Sequence, residues 1–218
     1  MPSDPEKSAA SQNASTGVSR RGFLQGAGLA AAEALLPRSR EARAELSAAG
    51  IEPSQALGPD AVALLLNING KEQPLRLEPR ITLAEALRSS LGMTGTKLAC
   101  DRGACGSCTV LLEGAPVHSC TLLAVEIGLR QVRTIEGLAH GETLHPLQAE
   151  FVTHGAVQCG FCTPGMLLTC AALLEHNGKP RYEDVRRAIS GNLCRCGTYA
   201  RVCEATVAAA ERPQTKHL

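Results

Sequence analysis

The sequence has few aromatic residues and no excess of either charge. Among 218 residues there is no tryptophan, and aromatic residues make up 2% of the chain. Stacking surfaces for bases or flavin rings are therefore scarce. Lys and Arg number 22 against 21 Asp and Glu, which gives a formal net charge of +1. This balance removes the electrostatic case for nucleic-acid binding, so no nucleic-acid partner is expected.

Long hydrophobic runs and internal repeats are also lacking. No apolar run approaches the roughly 20 residues that cross a bilayer, so no membrane span is expected. Apolar residues make up 44% of the chain, which is enough for an ordinary folded core. What the sequence has in abundance is cysteine, with 10 residues, accompanied by 21 glycines. So many sulfurs indicate a bound group.

The first 44 residues have the pattern of an export signal. Arg20-Arg21 precedes a mildly apolar stretch at 26–36, and Ala42-Arg43-Ala44 is a small-x-small cleavage site. This order is typical of a secretory signal, and the adjacent arginines resemble the twin-arginine export signal. Since that pathway exports folded proteins, the thiols would be occupied before they reach an oxidising compartment. We predict a signal peptide at 1–44 and a periplasmic location.

Behind the signal, a strand-rich pattern is followed by a helical one, which predicts an α+β protein. We predict a linker at 45–60, a ferredoxin-like domain at 61–136, a helical domain at 137–212 and a tail at 213–218. The first domain should contain two strands, a helix opened by the capping box Thr82-Leu83-Ala84-Glu85, and two more strands. The predicted strands are Val62–Ile68, Glu72–Glu78, Thr109–Leu112 and a short one near Arg130–Thr134, with a hairpin turn at Asn69-Gly70.

The second domain should contain four helices. Their predicted positions are near Pro146–His154, Gly165–His176, Tyr182–Ile189 and Ala200–Glu211. The second of these is apolar around most of its circumference, so it should be buried. Asn177-Gly178 supplies its stop signal.

Four cysteines in the first domain form one set with the spacing C-x4-C-x2-C-x11-C. They are Cys100, Cys105, Cys108 and Cys120. The first three match the spacing of a plant-type 2Fe-2S cluster. Gly103 and Gly106 can supply the positive φ angles of a loop that wraps tightly around a cluster. Such a loop also presents backbone N–H groups to the sulfurs, which stabilises the reduced cluster.

Four further cysteines form a second set with the spacing C-x2-C-x31-C-x-C. They are Cys159, Cys162, Cys194 and Cys196. The first pair lies where a loop enters a predicted helix, and the second pair lies in a turn between two helices. The remaining Cys170 and Cys203 lie on predicted helices, where a cysteine is usually a small buried hydrophobe.

The cysteine pattern by itself leaves zinc, disulfides and a Rieske centre open. Zinc usually takes two C-x2-C pairs, and the x4 and x1 spacings fit that poorly. A disulfide scaffold suits the compartment but neither the folded-export signal nor the chain length. A Rieske centre needs two Cys-His pairs; His118 precedes Cys120, but no second histidine has the spacing.

From about Val62 to Ala209 the chain resembles the iron–sulfur small subunit of the molybdenum hydroxylases, the xanthine dehydrogenase and aldehyde oxidoreductase family. The export signal makes it most similar to the periplasmic aldehyde oxidoreductase branch. The resemblance rests on four runs found in order: Gly95-Thr96-Lys97 leading to Cys100, Cys105-Gly106-Ser107-Cys108-Thr109-Val110, Gln158-Cys159-Gly160-Phe161-Cys162-Thr163-Pro164-Gly165-Met166 and Ser190-Gly191-Asn192-Leu193-Cys194-Arg195-Cys196-Gly197.

The resemblance implies a ferredoxin-like β-grasp domain followed by a four-helix bundle, each binding one 2Fe-2S cluster through one of the two cysteine sets. It implies that substrate is oxidised at a molybdenum–pterin cofactor in a separate large subunit. It also implies that Gln158 contacts that cofactor and that Cys196 is the cysteine closest to the pterin. The first set would then pass electrons outward to an FAD subunit, a cytochrome or another acceptor.

The function expected from these points is electron transfer within an aldehyde-oxidising enzyme that uses water as its oxygen source. No nucleophile–base constellation is present, so no catalytic residue is expected in this chain. Two alternatives stay open: a free-standing periplasmic ferredoxin-type carrier, and the small subunit of a hydroxylase for N-heterocycles. Thr198-Tyr199 after Cys196-Gly197 departs from the Thr-Gly-Tyr order of many relatives, which weakens an assignment to the purine-oxidising branch.

Overall fold

A computed structural model describes residues 59–212. The predicted signal peptide at 1–44, nearly all of the predicted linker and the predicted tail lie outside the described residues. Within residues 59–212, none of the helices is both long and apolar enough to cross a membrane.

The first half of the described chain is built on a five-stranded sheet. Its strands are β1 (Val62–Ile68), β2 (Lys71–Leu77), β3 (Thr109–Leu112), β4 (Ala115–His118) and β5 (Gln131–Arg133). The spatial order is β2-β1-β5-β3-β4, with β1 and β5 parallel and every other neighbouring pair antiparallel. The sheet carries one more strand than the sequence predicted.

The strand that the sequence did not predict is β4, which has only four residues. It contains Pro116, which has no backbone N–H to donate and is confined to sheet edges. β4 is the edge strand beside β3. The predicted hairpin is confirmed, because Asn69 and Gly70 both have positive φ, 53° and 75°, and β1 pairs with β2 across them.

The predicted capping box begins the helical turn that packs on the sheet. The Thr82 hydroxyl accepts from the Glu85 N–H at 3.2 Å, and the Glu85 carboxylate accepts from the Thr82 N–H at 2.9 Å. Helix α1 (Leu83–Glu85) continues as a π-helical stretch at Ala86–Ser90 and ends at Leu91. A short α2 (Ala124–Ile127), which the sequence did not predict, precedes β5.

The second half of the described chain is a group of four helices. They are α3 (Pro146–Thr153), α4 (Thr163–His176), α5 (Tyr182–Ala188) and α6 (Tyr199–Glu211). All four lie at the predicted positions within two residues at each end, and the α+β class is confirmed. α4 is buried along most of its length, as its all-round apolar pattern predicted.

The sheet and the helices meet through a small apolar contact. Leu111 of β3 packs against Leu168 and Ala172 of α4, with the half-buried Ile135 beside them. Each half also has a larger core of its own. The middle of α4, whose first residue follows Cys162, therefore packs against the strand that follows Cys108.

Candidate iron–sulfur sites

The first cysteine set lies in the loop that precedes β3 and in the turn that follows β4. Cys108 immediately precedes β3, and Cys120 lies in a 3-10 turn after β4. Both are buried, with exposed fractions of 2% and 6%, whereas Cys100 and Cys105 are half-buried. Because β3 and β4 pair with each other, the loop and the turn come together at one end of the hairpin.

The loop wraps around the sulfurs as its glycines predicted. Gly103 and Gly106 both have φ of 69°, a left-handed conformation that bulkier residues rarely adopt. The Gly103 N–H donates to Cys120 Sγ at 3.3 Å, and the Ala104 N–H donates to Cys100 Sγ at 3.3 Å. Backbone donors therefore face the thiols, as a bound thiolate cluster requires.

These contacts set the acid–base properties of the first set. Backbone N–H groups of Arg102 and Ala104 lower the pKa of Cys100 to about 7. Burial raises the pKa of Cys108 to about 11. A buried thiol of that kind releases its proton when iron binds, because a coordinating sulfur is a thiolate.

The second set is assembled from two segments that are distant in sequence. Cys162 is the residue before α4, and Cys159 lies just ahead of it, while Cys194 and Cys196 lie in the turn between α5 and α6. Cys162 is 9% exposed and Cys194 is half-buried, whereas Cys159 and Cys196 are exposed. The second set is therefore open to solvent on one side.

Polar contacts also surround the second set. Burial opposes ionisation of Cys194, but the hydroxyl and backbone N–H of Thr198 outweigh it and lower the pKa of this thiol to about 7. The Cys194 N–H donates to the Tyr199 hydroxyl at 2.6 Å. The backbone N–H of Phe161 lowers the pKa of Cys159, and burial raises the pKa of Cys162 to about 12.

In both sets the thiols associate in pairs. The neighbouring thiols that affect each other's pKa are Cys100 with Cys105, Cys108 with Cys120, Cys159 with Cys196, and Cys162 with Cys194. Among residues 59–212, no group of three or more His, Cys, Asp or Glu side chains is arranged to hold a metal ion. A 2Fe-2S cluster takes two protein ligands on each of its two irons, so two neighbouring thiol pairs fit one cluster. All ten cysteines are free thiols, so no pair is used in a disulfide.

Three further residues were singled out from the sequence. Gln158 is exposed and directly precedes Cys159, and its predicted contact with the molybdenum cofactor stays a prediction. Cys170 and Cys203 are buried in the helical core, with exposed fractions of 0% and 1%, as predicted for small hydrophobes.

Sequence reasoning missed the polar residues that support the second set. The Thr198 hydroxyl lies 3.3 Å from Cys194 Sγ, a contact that the sequence did not predict. Thr198 directly precedes α6, but its hydroxyl makes no capping bond to that helix, so capping is not the signal for this contact. No local sequence signal indicates the role of Asn192.

Two family models match the described chain, one after the other. A 2Fe-2S iron-sulfur cluster binding domain matches residues 66–134, and a second 2Fe-2S binding domain matches residues 134–207. Each match contains one complete cysteine set. The fold and its two thiol sets thus define a protein with two 2Fe-2S binding domains.

Individual relatives refine this class. The chain is 45% identical to the nicotine 6-hydroxylase small subunit of Paenarthrobacter nicotinovorans, over 68% of this chain and 89% of that one. It is 36% identical to the aldehyde oxidoreductase iron-sulfur-binding subunit PaoA of Escherichia coli O157:H7, over 86% of each chain. In structure it is similar to quinoline 2-oxidoreductase from Pseudomonas putida 86, with a TM-score of 0.68, 47% identity and coverage of 70% of this chain and 95% of that one.

The chain belongs to the iron–sulfur small subunits of the molybdenum hydroxylase family. It is the electron-transfer subunit of a molybdenum-containing oxidoreductase, and the resemblance stated from its cysteine motifs is confirmed.

Proposed function

We propose that this chain is a periplasmic subunit, exported folded, which passes electrons from a molybdenum–pterin catalytic subunit to a flavin subunit or another acceptor. The reaction it serves is the oxidation of an aldehyde to a carboxylic acid. The balance is one aldehyde and one water giving one acid, two protons and two electrons. The oxygen comes from water, and the electrons leave through this chain.

The two thiol sets suit a two-electron reaction. Each 2Fe-2S cluster, when bound, supplies a site that takes up and gives back one electron. The backbone N–H groups of Gly103 and Ala104 face the sulfurs of the first set and stabilise added negative charge. Thr198 does the same for Cys194 in the second set. Two such sites in one chain accommodate both electrons of one turnover.

The observation that carries the proposal is the exposed apolar rim of the second set. Its members lie within three residues of an exposed cysteine in the sequence and are themselves exposed by 37–57%: Val157, Phe161, Leu193 and Tyr199. Two of them are aromatic in a chain with 2% aromatic residues. Exposed aromatic and aliphatic groups beside a redox site favour a protein partner. We assign this rim to the large subunit, with Gln158 and Cys196 directed to its molybdenum–pterin cofactor.

Coverage of the relatives supports aldehydes as substrates. The match to PaoA includes 86% of 218 residues, about 187, which is more than the 59–212 segment contains. The similarity to an aldehyde oxidoreductase subunit therefore extends into the segment with the predicted export signal. Arg20-Arg21 and the cleavage pattern at Ala42-Arg43-Ala44 support export.

A hydroxylase for N-heterocycles is the second candidate. The relatives named for nicotine and quinoline are 45% and 47% identical to this chain, against 36% for PaoA. The substrate pocket would lie on the partner subunit in either case, so direct assay of the complex decides.

The test is purification of a tagged form of the full chain from periplasmic extract. Iron and molybdenum are counted in the eluate, which is then assayed with an aromatic aldehyde and with nicotinate in the presence of an artificial acceptor. Molybdenum with aldehyde turnover is the expected result. Turnover of nicotinate alone would replace the aldehyde by an N-heterocycle. Iron without molybdenum would indicate a free-standing ferredoxin and overturn the proposal.

A further inference from the structure

Asn192 lies at a buried junction between the two thiol sets. Its exposed fraction is 5%. Its Nδ2 donates to the Gly106 carbonyl at 3.0 Å and lies 3.4 Å from Thr109 Oγ1. Its Oδ1 lies 3.1 Å from the Thr169 hydroxyl, whose single proton is shared with the Gly165 carbonyl at 2.9 Å. One side chain thus joins the loop of the first set, the start of β3 and helix α4.

The same junction has backbone-to-backbone contact. A Cβ added to Gly106 would lie 2.5 Å from the Gly191 carbonyl oxygen, and a Cβ added to Gly165 would lie 2.3 Å from the Gly106 carbonyl oxygen. Both distances are shorter than any contact a real Cβ makes, so only glycine allows this approach. The loop of the first set and the two segments of the second set therefore touch without an intervening side chain.

Next to Asn192, one hydrogen bond connects the sets directly. The Leu193 N–H donates to the Cys105 carbonyl at 2.8 Å. The acceptor belongs to a residue of the first set, and the donor belongs to the residue that precedes Cys194 of the second set. A continuous path of covalent bonds with a single hydrogen bond thus joins Cys194 Sγ to Cys105 Sγ.

We propose that Asn192 is a positioning residue for electron transfer between the two clusters, because it holds the Leu193 N–H on the Cys105 carbonyl. The inference rests on the proposed function, in which each set binds a cluster. With a cluster bound at each set, one electron would pass from the second set, which would be oxidised, to the first set, which would be reduced. No bond forms or breaks, and no proton is transferred.

Physical reasons favour this route over the surrounding side chains. Electronic coupling weakens steeply as the distance between two redox sites grows. It weakens more slowly along bonded atoms than across a gap. The amide of Asn192 has bonding partners on both sides of the junction and is sealed from water, so water cannot replace the bonds it loses. Removing this side chain frees the Gly191–Cys194 turn to move away from Gly106.

The test compares two junction variants with two matched controls in the full, iron-loaded chain. Asn192→Ala removes the amide, and Gly165→Ala inserts a methyl group against the Gly106 carbonyl. Asn69→Ala removes a different asparagine that bridges two loops, through bonds of 3.0 and 2.8 Å to Thr134. Gly137→Ala inserts a methyl group 2.3 Å from Asn69 Oδ1, away from both sets.

Three readouts are made on each protein. Iron per chain shows whether both clusters are present. Electron paramagnetic resonance of the dithionite-reduced chain gives the spin–spin splitting, which decreases with the cube of the distance between the clusters. Flash reduction by one electron, followed by freeze-quenching, gives the rate at which that electron redistributes between them.

Both junction variants are expected to keep the iron of two clusters, with a smaller splitting. Redistribution should slow several-fold, because a longer gap between the Leu193 N–H and the Cys105 carbonyl weakens the electronic coupling. The two controls should retain the splitting and the rate of the original chain. Iron-loaded junction variants with unchanged splitting and rate would overturn the proposal, as would equal changes in the controls.

The conclusion from a loss of iron depends on which of the variants loses it. If Asn192→Ala alone loses a cluster, Gly165→Ala decides by the same two measurements. If both junction variants lose a cluster and the controls do not, the junction serves cluster binding, and the positioning role is wrong. Absence of iron from the unmodified chain would refute the proposed function instead.

Discussion

The two thiol sets contain the same number of cysteines but are built differently. The first set comes largely from one loop, and its Cys108 and Cys120 are buried at the end of a hairpin. The second set joins the start of α4 to a turn before α6, and its Cys159 and Cys196 are exposed. One set is thus enclosed by its own loop, whereas the other depends on helix packing and opens to solvent.

This difference separates two requirements of an electron-transfer chain. A site that receives electrons from another protein has to be reachable, and an exposed pair of cysteines with an apolar rim meets that requirement. A site that stores an electron benefits from backbone donors and exclusion of water. The Gly106 contact with Gly191 and Asn192 brings the two kinds of site together, and at this contact Gly106 and Asn192 are buried.

The largest effect is expected from removing one thiol of the enclosed set. Cys108→Ala should eliminate the cluster of the first set and leave that of the second, because each set has its own four thiols. Iron per chain should fall by half, and one of two paramagnetic resonance signals should disappear. Cys170→Ala, in the helical core, is the control and should retain both signals. Loss of both clusters, or of neither, from Cys108→Ala would show that the sets are not independent.

The next effect concerns the exposed rim of the second set. Phe161→Asp places a charge where a partner's apolar surface is proposed, and an aromatic contact in an interface is worth about 2 kcal/mol or more. Recovery of molybdenum with the tagged chain should fall at least about tenfold, while iron per chain stays the same. Leu129→Asp is the control, because this leucine of the sheet half is also exposed, by 61% against 45% for Phe161. Equal molybdenum recovery from both variants would remove the rim from the partner interface.

Local sequence signals predicted the enclosed set and much of its sheet. The Asn69-Gly70 turn, the Thr82 capping box and the C-x4-C-x2-C spacing all act within a few residues of each other, so their geometry follows from the chain itself. The edge strand β4, a four-residue strand that contains Pro116, was not predicted. A π-helical end to the first helix has no comparable sequence signal.

The open set shows where sequence reasoning stops. Its spacing gave four cysteines but not their pairing, because Cys159 meets Cys196 only after α4, α5 and α6 have packed. The role of Asn192 depends on Gly106, which lies 86 residues away in sequence. Contacts between residues so far apart in sequence are determined by tertiary packing. They cannot be predicted from the local pattern of a single sequence.

A smaller effect, on the free energy of unfolding, is expected from two ion pairs. One has a buried carboxylate in the helical half, and the other is more exposed and joins the two halves. Glu150 is buried and binds His154 at 3.3 Å and Arg212, whereas Glu175 is half exposed and binds Arg133. Glu150→Gln should lower the free energy of unfolding by about 1–3 kcal/mol, as expected for hydrogen bonds to a charged group. Glu175→Gln should cost less than about 1 kcal/mol. Denaturant unfolding measures both, and equal losses would contradict this ranking.

The smallest effect is expected at Asp184 near the start of α5, on the helical half but outside the second thiol set. The backbone N–H of Arg181, with the side chains of Arg181 and Arg187, lowers the pKa of Asp184 to about 2 from its usual value of 3.8. A carboxylate with a lowered pKa stabilises the fold fully above about pH 4, and this contribution is lost as the pH falls toward about 2. Asp184→Asn should therefore lower the denaturant midpoint slightly and equally at pH 7 and pH 5, and less at pH 3.

The control is Glu183→Gln. Because Glu183 and its partner Arg186 are both exposed, this variant should change none of the three midpoints. The prediction is contradicted if the denaturant midpoints of Asp184→Asn and the original chain differ more at pH 3 than at pH 7. The ion pairs at the start of α5 would then not stabilise the helical half.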